Sequence, residues 1–468
     1  MGRKIFAALL LMVLCFTLFG CGSHQENTAP SLFETEPTTV GGETQNSTEK
    51  PTEPPTESVT EPPAEPYRVG DIYITSPVSL TGEYQQATVR VDFGNNSLQE
   101  QTVRIKHRGN LSQKYAEKKS YNIKFEEKVS LLGMEKGKKW SLLADPFDKS
   151  LLRPILAFEY AQSIGIDVAS QTRLCRVWLN GVYQGVYTAL EPVDDGKRGI
   201  DINLENGDFL FERNFNANRA EEGITYFTTA YGVRFELNAP EIPTDAQLAQ
   251  IKEKINFLEA EIQTKDFARY SKVINVESFV NFYIFQELVK DVDFGHFSTR
   301  YYVKDGILYA GPPWDLDLSM GNLTKNHYED TYKEYHNLSG YGDGSGDSTH
   351  GFWANKKDFY RWLCQDEQFM KLVAKRWAEM KPMTDNLVLA NELGLSRIDW
   401  YLKNAGEILE SNYTKEGAGW PLSYKLVSLE YDEPAKDYIG NVEILRNWLI
   451  GRITWLDTAF SSDNINSN

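Results

Sequence analysis

Apolar and polar positions alternate along the first half of the chain and recur at helical intervals along the second. Residues 72–76, 87–93 and 102–107 read as strands, rich in β-branched side chains. Over 119–125, Tyr121, Ile123 and Phe125 fall on one face and Ser120, Asn122 and Lys124 on the other. Residues 173–179 and 182–191 form a predicted hairpin around Asn180-Gly181, the strongest two-residue turn signal. Strands over 208–213 and 233–237 complete a mainly antiparallel, β-rich half. Before them Asp148 is placed to cap a helix running to about 163, although Pro154 blurs its start. The second half predicts helices over 246–262, 277–290, 356–381, 385–409 and 441–460, with a short hairpin at 300–303 and 307–310. Residues 322–350, rich in Gly, Ser, Tyr and Asp, are long enough for a lid or insertion. The fold class expected is α+β.

The start of the chain breaks this pattern. Arg3 and Lys4 precede an apolar run from Ile5 to Phe19, a secretory signal in form and too short for a lone membrane span. It closes on Gly20-Cys21, which resembles the lipobox of bacterial lipoproteins, with Cys21 the lipidated residue. Residues 22–66 repeat Thr-Glu-Pro units and hold too little apolar surface to offset the entropy of ordering. The expected organisation is a signal over 1–20, a spacer over 21–66, one large domain over 67–460 and a tail over 461–468. An extracytoplasmic protein tethered only by its lipid follows, and a monomer is expected.

Charge sharpens this division. The net charge of −17 over 468 residues argues against a general nucleic-acid binder, which needs basic surface. Nine Glu and one Lys place −8 of it in the spacer, and the signal holds +2, which leaves −11 for the remainder. Two cysteines stay in the folded part, Cys175 and Cys364, whose spacing suits no metal site; two separate buried thiols are expected.

Candidate chemistry is densest between Glu287 and Asn322. Asp291 and Asp293 follow a predicted helix, and Asp315 and Asp317 follow a predicted strand. Acids at two element ends suit a divalent cation held by oxygen ligands; acids that cap turns and solvate loops are the other reading. No Ser-His-Asp order or zinc-ligand spacing is visible, and His296 is the one histidine near the acids.

Several segments, in order, resemble the CotH family, named after the spore coat protein H of endospore formers. They are Arg108-Gly109-Asn110 with Lys118-Lys119-Ser120-Tyr121-Asn122-Ile123-Lys124-Phe125, then Trp140-Ser141-Leu142-Leu143-Ala144-Asp145-Pro146-Phe147-Asp148-Lys149, the hairpin 179–187 with Glu191, and the acidic cluster. Family members are regarded as atypical protein kinases, so the resemblance implies a divergent kinase-like fold and Mg²⁺ or Mn²⁺ with ATP, Ca²⁺ being the alternative ion. It implies Asp293 as the catalytic carboxylate, with Ser298 five positions on where ordinary kinases place a metal-binding Asn. Asp315 would hold metal, with Asp317 competing for that role. Arg108 with Lys119 or Lys124 would neutralise phosphates, and Glu159 or Glu191 would pair with the lysine. No glycine-rich loop of kinase spacing is present. The substrate implied is a surface or envelope protein; the alternative is a non-catalytic module binding polysaccharide or protein, for which Tyr341 and Trp353 are the candidate sugar-stacking rings.

Overall fold

The computed structural model describes residues 67–461 apart from 167, 193–199, 216–222, 325–347, 423–425, 427–429 and 432. The signal, Cys21, the spacer and Tyr341 lie outside the described residues. Seven strands close into a barrel: β1 Gly70–Thr75, β2 Gln85–Asp92, β3 Leu98–Arg108, β4 Ser120–Val129, β5 Gly137–Leu143, β6 Thr172–Leu179 and β7 Val182–Leu190, in the order β1-β2-β3-β4-β5-β7-β6. Parallel pairing of β1 with β6 closes the ring and removes its free edges. The alternation seen in the sequence decides what fills it. Val89 and Val91, Val103 and Ile105, Tyr121, Ile123 and Phe125, and Trp140 and Leu142 all point inward and are buried. Asn180 and Gly181 both hold positive φ, 50° and 80°, as the tight turn between β6 and β7 requires.

A short helix, α1 Leu111–Tyr115, joins β3 to β4, and α2 Arg153–Ser163 follows β5. The carboxylate of Asp148 caps α2 from a distance, accepting from the Arg153 N–H at 2.8 Å, and Pro154 lies in the first turn, where its missing N–H costs nothing. A second, antiparallel sheet has the order β12-β11-β8-β10-β9, with β8 Phe209–Arg213, β9 Thr225–Thr228, β10 Arg234–Ala239, β11 Arg300–Lys304 and β12 Ile307–Ala310. Against it packs α5 Val276–Val289, buried along residues 279–289, the burial expected of a helix apolar on every side. The remaining helices are α3 Asp245–Gln263, opened by a Thr244–Gln247 capping box, α4 Phe267–Tyr270, α6 Tyr360–Leu363, α7 Glu367–Asn386, α8 Arg397–Glu410 and α9 Tyr438–Ala459. The class is thus α+β, strand-rich then helical.

Two helix readings change. The helix expected over 356–381 is two, because Asp366 turns its side chain onto the Gln368 N–H and starts α7 afresh. That helix then continues through Pro382 to Asn386, with the Thr384 hydroxyl donating to the Met380 carbonyl. The next begins at Arg397, not 385, where Ser396 accepts from the Asp399 N–H. Both cysteines are free thiols, Cys175 buried and Cys364 half-buried. Among the described residues no helix is long and apolar enough to cross a membrane.

One buried acid stands apart from any ion pair. Glu259 on α3 is 1% exposed. Burial pushes its carboxyl up to about 7, with the Thr229 hydroxyl, Arg361 and Arg213 opposing and Asp358 reinforcing. A raised carboxyl pKa favours the protonated fold, so this contribution is present below the ordinary value of 4.5 and is lost as pH rises through 7. Glu259→Gln is expected to stabilise the protein at pH 8 by about 3 kcal/mol at most and to do nothing at pH 4.5. Urea midpoints of both proteins across that range check it; equal midpoints at pH 8 would count against it.

An acidic cleft as the candidate functional site

The loops at one end of the barrel meet the turns that follow α5 and β12. From the barrel come Arg108 at the end of β3, Lys118 just before β4 and Asp145 just after β5. From the other side come Asp291 and Asp293 after α5, Ser298 and Arg300 before and on β11, and Asp315 and Asp317 after β12. Two side chains staple these loops. Arg153 donates to Asp148 at 2.6 Å and through Nε to the Met320 carbonyl at 3.2 Å. Asn322 donates to the carbonyls of Phe147 and Asp317 at 3.0 and 2.7 Å.

Three residues of the cleft hold left-handed backbone: Asp145 at φ 47°, Ser298 at φ 52° and Asp315 at φ 57°. Such conformations cost roughly 1–2 kcal/mol each for ordinary residues and gather where geometry serves a site.

Asp293 accepts a hydrogen bond from the Ser298 hydroxyl at 3.1 Å, so the pair five positions apart does meet. Asp291 beside it is buried and binds the Asp293 N–H at 3.2 Å. Burial first, then the charges of Asp293 and Asp315, drive the Asp291 carboxyl well upward. Asp315 is exposed at its surface side. Desolvation raises its carboxyl, with Arg108 and Arg300 opposing and Glu212 reinforcing. Asp317 is raised further by burial and by the charges of Asp315, Asp145 and Asp148.

The cations of the cleft are Arg108, Arg300 and Lys118. The guanidinium carbons of Arg108 and Arg300 lie 5.2 and 4.7 Å from the centre of the Trp314 ring, and Arg300 donates to Glu212 at 2.7 Å. Burial pulls the Arg108 pKa down, while Asp315, Asp317 and Asp145 hold the group charged. Lys118 is buried, its ammonium donating to the Ala144 carbonyl at 2.8 Å and to that of Val186. Burial lowers its pKa and Asp145 raises it; Asp145 in turn is lifted by burial while accepting from the Thr188 hydroxyl at 2.7 Å.

Other residues singled out in the sequence sit elsewhere. Lys119 reaches back to the Gln113 carbonyl at 2.7 Å. Lys124 is on the outward face of β4, opposite Arg104 and Lys139. Glu191 lies beside Gly137 at the end of β7. Glu159 makes paired hydrogen bonds with Arg397, both at 2.7 Å, and accepts from Tyr401. The ring of Trp353 is 2% exposed and donates to the Asp291 carbonyl, so it is part of the core and no sugar platform. The sequence reading passed over Lys118, Asp145 and Arg300. An Asp set in the apolar run 142–147 was a legible signal for the second; nothing in the residue order separates Lys118 from Lys119.

Among the described residues no three His, Cys, Asp or Glu side chains are grouped to hold a metal ion by themselves. The donors of Asp315, Asp317 and Ser298 are all oxygens, and Mg²⁺ commonly takes one or two carboxylates and completes its shell from phosphates and water. Such a set fits a cation that arrives with a phosphate ligand.

A barrel followed by a helical body, with carboxylates, two half-buried arginines and a buried lysine gathered between them, defines an α+β protein with an acidic candidate site. The family model described as CotH kinase protein matches residues 105–456, well over half the chain and every cleft residue named above; the chain belongs to the CotH family. No curated protein matches it.

Proposed function

We propose that this chain is a divergent, metal-dependent protein kinase with a kinase-like fold, using ATP to phosphorylate Ser or Thr hydroxyls of a surface or envelope protein. It would act outside the membrane, tethered by a lipid on Cys21. The observation that carries this reading is the meeting of Arg108 and Arg300 on the Trp314 ring beside Asp315, together with an Asp293 that already bonds a hydroxyl. Phosphoryl transfer asks little covalent chemistry of a protein and depends on positioning and charge. Arg108 and Arg300 present planar donors that match phosphate oxygens. Asp293, which accepts a hydrogen bond from the Ser298 hydroxyl, would take up the proton of an acceptor hydroxyl. The new bond joins the acceptor oxygen to the γ-phosphorus, the bridging bond breaks, and ADP leaves. Asp315, with Asp317 or Ser298, would hold Mg²⁺ or Mn²⁺, which supplies neutralisation of phosphate charge when bound.

A native-state ligand must stabilise the fold, by about 2.7 kcal/mol at a hundred times its Kd. ATP with Mn²⁺ is therefore expected to raise the melting temperature, and Asp315→Ala to remove that rise. An unchanged melt at millimolar nucleotide and metal would overturn the reading.

A further inference from the structure

The outer wall of the barrel carries a cationic track that runs into the cleft. Val103 and Ile105 point into the barrel, so the alternate residues of β3, Arg104, Lys106 and Arg108, share the outer face. Across the sheet, Arg104 lies directly opposite Lys124, and Lys124 directly opposite Lys139. Like charges in directly opposed positions destabilise a sheet. Arg104 and Lys124 stand so, with Lys106 and Arg108 following along β3, on a chain whose net charge is −17. Tyr84 lies along the track, its ring centre 5.7 Å from the Arg104 guanidinium and 4.9 Å from the Lys106 ammonium. Away from the cleft end, Lys138 donates to the Glu126 main-chain carbonyl at 2.5 Å and lies 3.8 Å from the exposed Glu127 carboxylate. Arg108 closes the track at Trp314 and Asp315.

We propose that this track docks an acidic polypeptide, leading its Ser or Thr toward Asp293. The substrate class, though not the docking, rests on the kinase reading above. Same-side cations along β3 repeat about every 7 Å, the interval at which an extended peptide presents alternate side chains. A track a few strands wide suits a single chain. A membrane or a nucleic acid would meet the acidic remainder of the surface as well, and be repelled by it.

The test measures docking apart from transfer. A fluorescent 15-residue peptide of Glu with one central Thr is titrated, without nucleotide, against the whole protein in 50 and 300 mM salt, and a Lys-rich peptide serves as control. Binding of the acidic peptide alone is expected, at least tenfold weaker at the higher salt and tenfold weaker in Arg104→Glu. The milder Arg104→Gln/Lys106→Gln pair, checked for an unchanged melt, gives the same reading should the reversal fail to fold. No binding at 50 mM salt, equal binding by the variants, or preference for vesicles of 30% phosphatidylglycerol over the peptide each overturns the proposal. Docking without any phosphate transfer to the peptide leaves the track standing and removes the kinase. Transfer that is indifferent to the variants does the reverse.

Discussion

Asp293→Asn is expected to lower phosphate transfer by roughly 10²- to 10⁴-fold, the range a positioned proton acceptor contributes. The amide keeps the shape of the side chain and can still bond Ser298, but it cannot take up a proton. On the proposed reading Arg108, Arg300 and Asp315 hold the nucleotide, so the rise in melting temperature with ATP and Mn²⁺ should persist. Single-turnover transfer of labelled phosphate, set beside the melt, separates the two effects. If the variant transfers phosphate at the native rate, Asp293 is not the acceptor, and Asp291 becomes the residue to examine. If the nucleotide-dependent rise disappears as well, the carboxylate serves binding and not proton transfer.

The second large effect lies outside the cleft. Arg452 on α9 and Glu287 near the end of α5 are both fully buried and paired at 2.9 Å. Arg452 also donates to the carbonyls of Glu287, Thr349 and Gly351, at 2.8, 2.7 and 2.9 Å. The Glu287 carboxylate accepts from the Trp353 and Ala354 N–H groups at 2.7 and 2.8 Å. The Trp353 indole then holds the Asp291 carbonyl at 2.8 Å. One ion pair thus ties the last helix, the segment 349–354 and the root of the Asp291–Asp293 turn together. Arg452→Met should cost roughly 3–5 kcal/mol, because it strands a carboxylate without its counter-charge. Adding Glu287→Gln should recover part of that loss, since the stranded charge is gone. Urea unfolding of the two variants measures both. A loss below 1 kcal/mol in the single variant would show that water or rearrangement compensates the carboxylate.

Both effects concern residues that the chain order reveals unequally. Asp293 and Ser298 were legible because a short loop holds them, and five residues of separation bring them into contact with little help from elsewhere. Asp315 and Asp317 were legible as acids ending a strand. Lys118 was not. It precedes the first residue of β4, where strand alternation has yet to begin, so no periodicity says whether it or Lys119 turns inward. The carbonyls that hold it belong to Ala144, just after β5, and Val186 on β7. Arg452 is more remote still, 165 residues from its partner, and reads in the sequence as one charge on a predicted helix.

The sequence by itself determined the α+β class, ten of the twelve described strands, the Asn180-Gly181 turn and the acids Asp291, Asp293, Asp315 and Asp317 at element ends. Each depends on alternation, helical spacing or turn chemistry within a few residues. Only the tertiary structure decided that β1 pairs with β6 to close a barrel, that Lys118 and not Lys119 is buried beside Asp145, and that Lys124 faces outward opposite Arg104. Those outcomes turn on which distant carbonyl or carboxylate reaches a side chain, a matter of strand order and register that local pattern does not encode.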